Sequence, residues 1–367
     1  MIQQKDSDVF GKKESQALKG IAIMMMLFHH CFLDRSRFGN YEVSFFPFTE
    51  SNIVHLAYSF KICVSIFAFI TGYGLFLNIN SNREENATKW AAVRHIKTFS
   101  GFWFVWVLSA AVCQIIDGRF WNVMFEDGVL KGCVYTLVDF LGLANLFNSP
   151  TLNSTWWYMS AAALFIIFSP LVYYCRDNIL LTLIGTVFFI RCVFAGHPDM
   201  FYTGGISAYP FLTAYLIGCI FARYKLFNTW ICIGKSRKIY KIYKGIAEIW
   251  ILILAYKMYQ KLPINQFWEF HYGLYPMLVI LFCVEYIVRI PGVKTILRFL
   301  GRYSMDIFLI HTFIRYTYLQ DFTYSFHHFA LIVIVLLTVS LTISIIIEAM
   351  KKMLNYNALI ERLIRSL

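Results

Sequence analysis

The sequence predicts an all-α membrane protein, a bundle of about ten transmembrane helices with both termini on the cytoplasmic side. Three observations predict it. Apolar residues make up 59% of the 367 positions and charged residues only 15%, against roughly a quarter charged in soluble domains. The apolar residues gather into ten stretches, each near the ~20 residues that cross a bilayer. Basic residues divide unevenly between the two sides those stretches define, 24 on one and seven on the other, which is the positive-inside pattern. The net charge of +12 therefore reports orientation and a cytosolic face that meets anions, and argues against nucleic acid as the partner.

Taken in order, residues 1–16 are polar and form a cytoplasmic tail with no signal-peptide pattern. The membrane domain, 17–350, opens with span 17–34, followed by 53–78 and then by 99–116 behind the basic stretch 83–97. Residues 117–154 lie outside. Val129–Phe147 is apolar enough to invite an eleventh crossing, but Asp139, Gly132, Gly142 and Asn145 interrupt it. Counting it as a crossing would also export the basic loop 223–244, so the segment is expected to be re-entrant or interfacial. Spans 155–174 and 178–195 flank Arg176, and 206–222 leads into the loop 223–244 with its seven basic residues. Spans 245–260, 271–289, 303–319 and 329–350 complete the bundle before a cytoplasmic tail, 351–367. The nine cysteines are scattered without the spacing of a zinc site, so they read as packing residues and no metal is expected.

The first span carries the sharpest chemical signal. Eleven helical steps of ~100° return to within ~20° of the start, so Lys19 and His30 share one face, about 16 Å apart along the axis. Ser15, Lys19, Met26, His30 and Asp34 form a stripe from one side to the other. Ionisable groups in hydrocarbon are costly, and they face a bundle interior or a watery cavity that marks a pathway or reaction site. His29 is rotated ~100° from His30 and reads as structural.

Several stretches resemble one family, the acyltransferase-3 group of integral membrane acyltransferases. Leu18-Lys19-Gly20-Ile21-Ala22-Ile23 through His29-His30 resembles its basic residue, ten intervening residues and histidine. Ile66-Phe67-Ala68-Phe69-Ile70-Thr71-Gly72-Tyr73 is similar to its aromatic segment ending in Ser-Gly, with threonine for serine. Arg94-His95-Ile96-Lys97 resembles its Arg-x-x-Arg, with lysine in the last place. Ser154-Thr155-Trp156-Trp157-Tyr158 and the run from Gly301-Arg302-Tyr303-Ser304 to Leu309-Ile310-His311 resemble its mid-chain tryptophan segment and its late Leu-Ile-His span. The resemblance implies transfer of an acyl group, usually acetyl from cytosolic acetyl-CoA, to a hydroxyl of a surface or lipid-linked carbohydrate outside. It also implies residence in a bacterial cytoplasmic membrane. Some relatives carry an additional extracytoplasmic domain, and this chain is expected to act without one.

Within that resemblance, His30 takes the part of general base, because a sugar hydroxyl is a weak nucleophile and a positioned imidazole can take its proton during attack on a thioester. The alternative is a histidine packed through one hydrogen bond. Arg94 and Lys97, three apart on one helix face, are suited to CoA phosphates, with Lys19 at the entrance; positive-inside anchoring is the competing reading. Asp34 either orients the imidazole or is a solvated loop acid. Ser304 and His311 share a face and are candidates to line the same cavity. Trp156, Trp157 and Tyr158 serve as an interfacial belt or as faces for sugar stacking. Asp306 is expected to pair with Arg302 and Glu285 with Arg289, one turn apart in each case. Gly72 and Gly74 are expected to serve helix packing. The rival functions are a glycan-precursor transporter or flippase, whose pathway would also hold intramembrane charge, and a structural subunit of an export complex.

Overall fold

The structure, a computed structural model, describes residues 9–82, 86–194, 208–233 and 238–367. Residues 1–8 of the expected tail, 83–85, the link 195–207 between the fifth and sixth expected spans, and 234–237 of the basic loop lie outside the described residues. The helices are α1 (Lys12–Phe32), α2 (Glu50–Ser81), α3 (Ala87–Asp117), α4 (Arg119–Met124), α5 (Val129–Phe140), α6 (Ala144–Phe147), α7 (Trp157–Tyr174), α8 (Ile179–Phe194), α9 (Leu212–Tyr224), α10 (Leu226–Cys232), α11 (Lys238–Lys261), α12 (Phe270–Ile287), α13 (Pro291–Arg302), α14 (Ser304–Thr312), α15 (Gln320–Tyr324), α16 (Phe329–Met353) and α17 (Tyr356–Arg365). No strand occurs among the described residues; a single bridge joins Ser44 to His328.

Helical residues occur in each expected span, although the helix in 206–222 is described only from Leu212 and that in 303–319 is the nine-residue α14. Five helices, α2, α3, α7, α12 and α16, are long and apolar enough to cross a membrane on their own. The others are short or charged. α1, for example, begins Lys12-Lys13-Glu14 and carries Lys19, His29 and His30, a composition that suits a helix surrounded by protein rather than lipid.

α1 lies inside the bundle against α2, α13, α14 and α16. Glycine permits the closest of these contacts. A Cβ on Gly20 would strike the carbonyl of Leu297 in α13, and one on Gly301 would strike the carbonyl of Gln16 in α1, so the two backbones touch as small-residue interfaces allow. Gly72 and Gly218 bring α2 and α9 together in the same way. Near its start α1 is also tied to α13 by Lys294, whose Nζ donates to Glu14 at 2.5 Å. Burial raises the Glu14 carboxyl, but Lys294 and the Gly11 N–H outweigh that and hold it below its ordinary value.

Two expected ion pairs are replaced by pairs between helices. Asp306 bonds Lys351 of α16 at 3.1 Å, and both are nearly fully buried, whereas Arg302 is exposed. Glu285 accepts from Lys244 of α11 at 2.6 Å instead of pairing with Arg289. A carboxylate inside a bundle needs a cation that is equally buried, and a neighbour one turn away on a surface-facing side cannot supply one.

Residues 117–154 fold as three short helices, α4 to α6. The longest, α5, has 12 residues, about 18 Å against the ~30 Å of a hydrocarbon core. Gly142 turns the chain at φ +71°, a conformation that suits glycine. The segment is fastened to α3 through Asp139, whose Oδ2 accepts from Trp106 Nε1 at 2.8 Å and from the Leu152 N–H at 3.3 Å.

Candidate active site

A cavity of about 370 Å³ runs beside α1. Its wall on that helix is Ser15, Lys19, Met26 and His30, four positions of the one-face stripe, so the helical period alone aligns them. The fifth, Asp34, is not part of it. α1 ends at Phe32, and Asp34 instead caps a short turn, its Oδ1 accepting from the Ser36 N–H at 2.9 Å and its Oδ2 lying 3.7 Å from Arg37. The expectation that Asp34 extends the stripe is thus corrected by helix termination two residues before it.

At the Lys19 end, α3 contributes Arg94 and Thr98 to the cavity. Lys97 is exposed and does not line it; Arg94's cavity-facing neighbour is one turn on, at i+4, where the sequence has threonine. Lys19 and Arg94 form no ion pair with any carboxylate among the described residues, and Arg94 Nε is buried without a hydrogen-bond partner. Two basic side chains with no carboxylate partner among the described residues suit this end of the cavity to an anion. Gly74 also lines it, with open space where a Cβ would stand, so the lack of a side chain here leaves room in the cavity.

At the other end the wall is His30, Phe67, Thr155, Trp157, Tyr158 and Phe308, with Ser304 further along α14 towards the Lys19 end. The two adjacent histidines of α1 divide as their rotation predicts. His29 Nδ1 donates to the Ala57 carbonyl at 2.8 Å, which occupies it structurally, while His30 Nδ1 is buried and has no hydrogen-bond partner.

His311 does not line the cavity; it packs behind His30, with ring centroids 4.9 Å apart. Its Nδ1 lies 2.8 Å from the Phe308 carbonyl and its Nε2 3.2 Å from Thr312 Oγ1. A carbonyl only accepts, so Nδ1 carries the proton and Nε2 is the lone-pair nitrogen. Thr312 therefore spends its one hydroxyl hydrogen on Nε2; its Oγ1 lies 3.3 Å from Thr155 Oγ1, whose own hydroxyl donates to Asn153 Oδ1 at 2.7 Å. One turn beyond His311, Arg315 is 3% exposed, its Nε and Nη1 have no hydrogen-bond partner, and no carboxylate pairs with it among the described residues. No local spacing marks Arg315, because its burial arises as the segment after α14 packs against α14, α15 and α16.

Trp156 turns away from this cavity. Its indole N–H donates to the Leu309 carbonyl at 2.9 Å, and Trp157 and Tyr158 are the aromatic residues that reach the cavity. A second cavity, of about 220 Å³, lies beyond them among residues of 139–157.

The model of the acyltransferase domain family acyltransferase-3 matches residues 13–349 of the chain. Comparison with curated proteins and with solved structures gives no match.

Proposed function

The chain belongs to the acyltransferase-3 family, and from that premise we propose that it is a membrane O-acetyltransferase taking acetyl from cytosolic acetyl-CoA to a hydroxyl of an extracytoplasmic or lipid-linked carbohydrate. The observation that carries the proposal is the single cavity that joins an unpaired Lys19/Arg94 cluster to an imidazole with an unpartnered Nδ1. A CoA thioester has that form: anionic phosphates at one end, an extended pantetheine arm, and a reactive carbonyl at the other. The ~16 Å rise between Lys19 and His30 suits the arm's length.

In this reading Lys19 and Arg94 hold the pyrophosphate, and Lys97, outside the cavity, is left to surface anchoring. The arm runs past Gly74 towards His30. The acceptor hydroxyl oxygen attacks the thioester carbonyl as His30 takes its proton. The C–S bond then breaks, and the proton passes from the imidazolium to the departing sulfur, giving ester and free CoA thiol. His311 packs against the ring of His30 and holds its orientation.

The test is transfer of labelled acetyl in membranes containing the full chain. His30→Gln keeps polarity and approximate size but cannot exchange a proton near neutral pH, and is expected to lower transfer by ~10² to 10⁴ with acetyl-CoA binding retained. Transfer at the parent rate returns His30 to a packing role. Failure of the parent to bind acetyl-CoA favours the flippase reading, since a flippase has no use for that ligand.

A further inference from the structure

The second cavity has a mixed lining of polar residues, small residues and two tryptophans. Asp139, Asn145, Asn148 and Ser149 line it together with Trp156 and Trp157. Its volume of about 220 Å³ equals roughly seven water molecules at ~30 Å³ each, which is room for one monosaccharide ring and not for a chain of them.

Three features indicate what belongs there. Asp139 is 1% exposed with no cation paired to it among the described residues, yet its Oδ2 already accepts from Trp106 and Leu152, so its charge is met by N–H donors and does not await an ammonium group. The same carboxylate repels phosphates and acids. Ser149 Oγ is buried without a hydrogen-bond partner, a costly state for a hydroxyl unless a ligand or water completes it. A lining that combines hydrogen-bonding residues with two tryptophans matches a neutral polyol ring, which has hydroxyls around its edge and C–H groups on its faces.

The pocket also adjoins the reaction cavity. Along Ser154-Thr155-Trp156-Trp157 the residues alternate between the two: Ser154 and Trp156 line the second, Thr155 lines the first, and Trp157 lines both. Thr155 Oγ1 lies 3.3 Å from Oγ1 of Thr312, the residue that bonds His311, whose ring packs on His30.

We propose that this second cavity is the acceptor's seat, taking one neutral hexopyranose ring and presenting a ring hydroxyl past Trp157 towards His30. The inference rests on the acyltransferase reading for its purpose, but its ligand class rests on the cavity alone. Saturation-transfer NMR on the solubilised full chain tests it, with methyl α- and β-pyranosides of gluco, galacto and manno configuration and their 2-acetamido forms as probes. At least one is expected to bind with a Kd of about a millimolar. Ser149→Ala is the informative variant. A hydroxyl with no protein partner can be removed without structural loss, so a purely structural role predicts no effect, whereas the proposal predicts about threefold to tenfold weaker pyranoside binding. Ala144→Phe, which fills the pocket, is expected to abolish it; should that variant not fold, Ser149→Ala decides alone. Acetyl-CoA affinity is expected to be unchanged in both. Absence of pyranoside binding to the parent, or binding that Ser149→Ala leaves untouched, overturns the proposal. Lack of acetyl-CoA binding by the parent overturns the donor reading instead and leaves the pyranoside result to judge the pocket.

Discussion

At the scale of single residues, what could be read in advance depended on how far along the chain the deciding contact lay. The different surroundings of His29 and His30 follow from one ~100° step, and Lys19 falls on the His30 face because eleven steps return to it, so the helix period was enough to place them. Lys97 needed more. Residues i+3 and i+4 are both neighbours of Arg94 on a helix surface, and only the position of α2 and α7 determines that Thr98 faces the cavity while Lys97 is exposed. Trp156 and Trp157 are interchangeable as letters, and the Leu309 carbonyl separates them. His311 behind His30 joins residues 281 apart, which no spacing argument reaches. The Arg94/Lys97 contrast is directly measurable by titration with acetyl-CoA. Arg94→Ala is expected to weaken binding by roughly tenfold to a hundredfold, the worth of a charge-assisted contact of about 1.5–3 kcal/mol. Lys97→Ala is expected to change it by less than about threefold, as for an exposed charge. Equal losses in the two variants would show that both cations grip the donor.

At the scale of helices, hydropathy anticipated the five helices long and apolar enough to cross but could not pair any of them. Gly20 and Gly301 are legible as glycines; that each meets the other helix's carbonyl is a property of the α1 and α13 contact. The same limit explains Asp306. Its in-sequence partner Arg302 is one turn away but exposed, while Lys351, at the end of a different helix, is buried with it. Burying a charge alone is far costlier than burying a pair. Lys351→Met is therefore expected to destabilise the detergent-solubilised protein by roughly 3–5 kcal/mol, seen as a lowered thermal midpoint, and the double variant Asp306→Leu/Lys351→Met to recover much of that loss. Additive losses would mean the two side chains do not depend on one another. The Glu14–Lys294 tie between α1 and α13 adds a smaller, acid-sensitive contribution. The Glu14 carboxyl lies below its ordinary value in the folded state, so this contribution is present above the unfolded carboxylate range and fades as pH falls through the folded one.

At the scale of the whole molecule, five helices among the described residues are long and apolar enough to cross a membrane, and the orientation of the set determines which end of the cavity would face the proposed acetyl-CoA donor. Lys19 and Arg94 lie at the end of the bundle reached from the N-terminal residues and from the start of α3; residues 117–154 and the second cavity lie at the end reached by α1 and α3 as they finish. These two ends are opposite whatever the absolute topology, because α1 and α3 both run from the first to the second. By the positive-inside rule the 24-to-7 division of basic residues predicts that the first end faces the cytosol, the side of the proposed acetyl-CoA donor, and that the pocket with Ser149 faces outward. Labelling of single cysteines in a cysteine-free background with an impermeant thiol reagent reads the absolute direction. A cysteine in place of Glu126, in the exposed turn before α5, is expected to label from outside intact cells, and one in place of Lys241 only after permeabilisation. The reverse pattern would put the Lys19 and Arg94 end away from the cytosol and deprive those cations of their donor. It would not disturb the internal geometry of the two cavities, so it would refute the acetyl-CoA assignment while leaving the pyranose pocket to its own test.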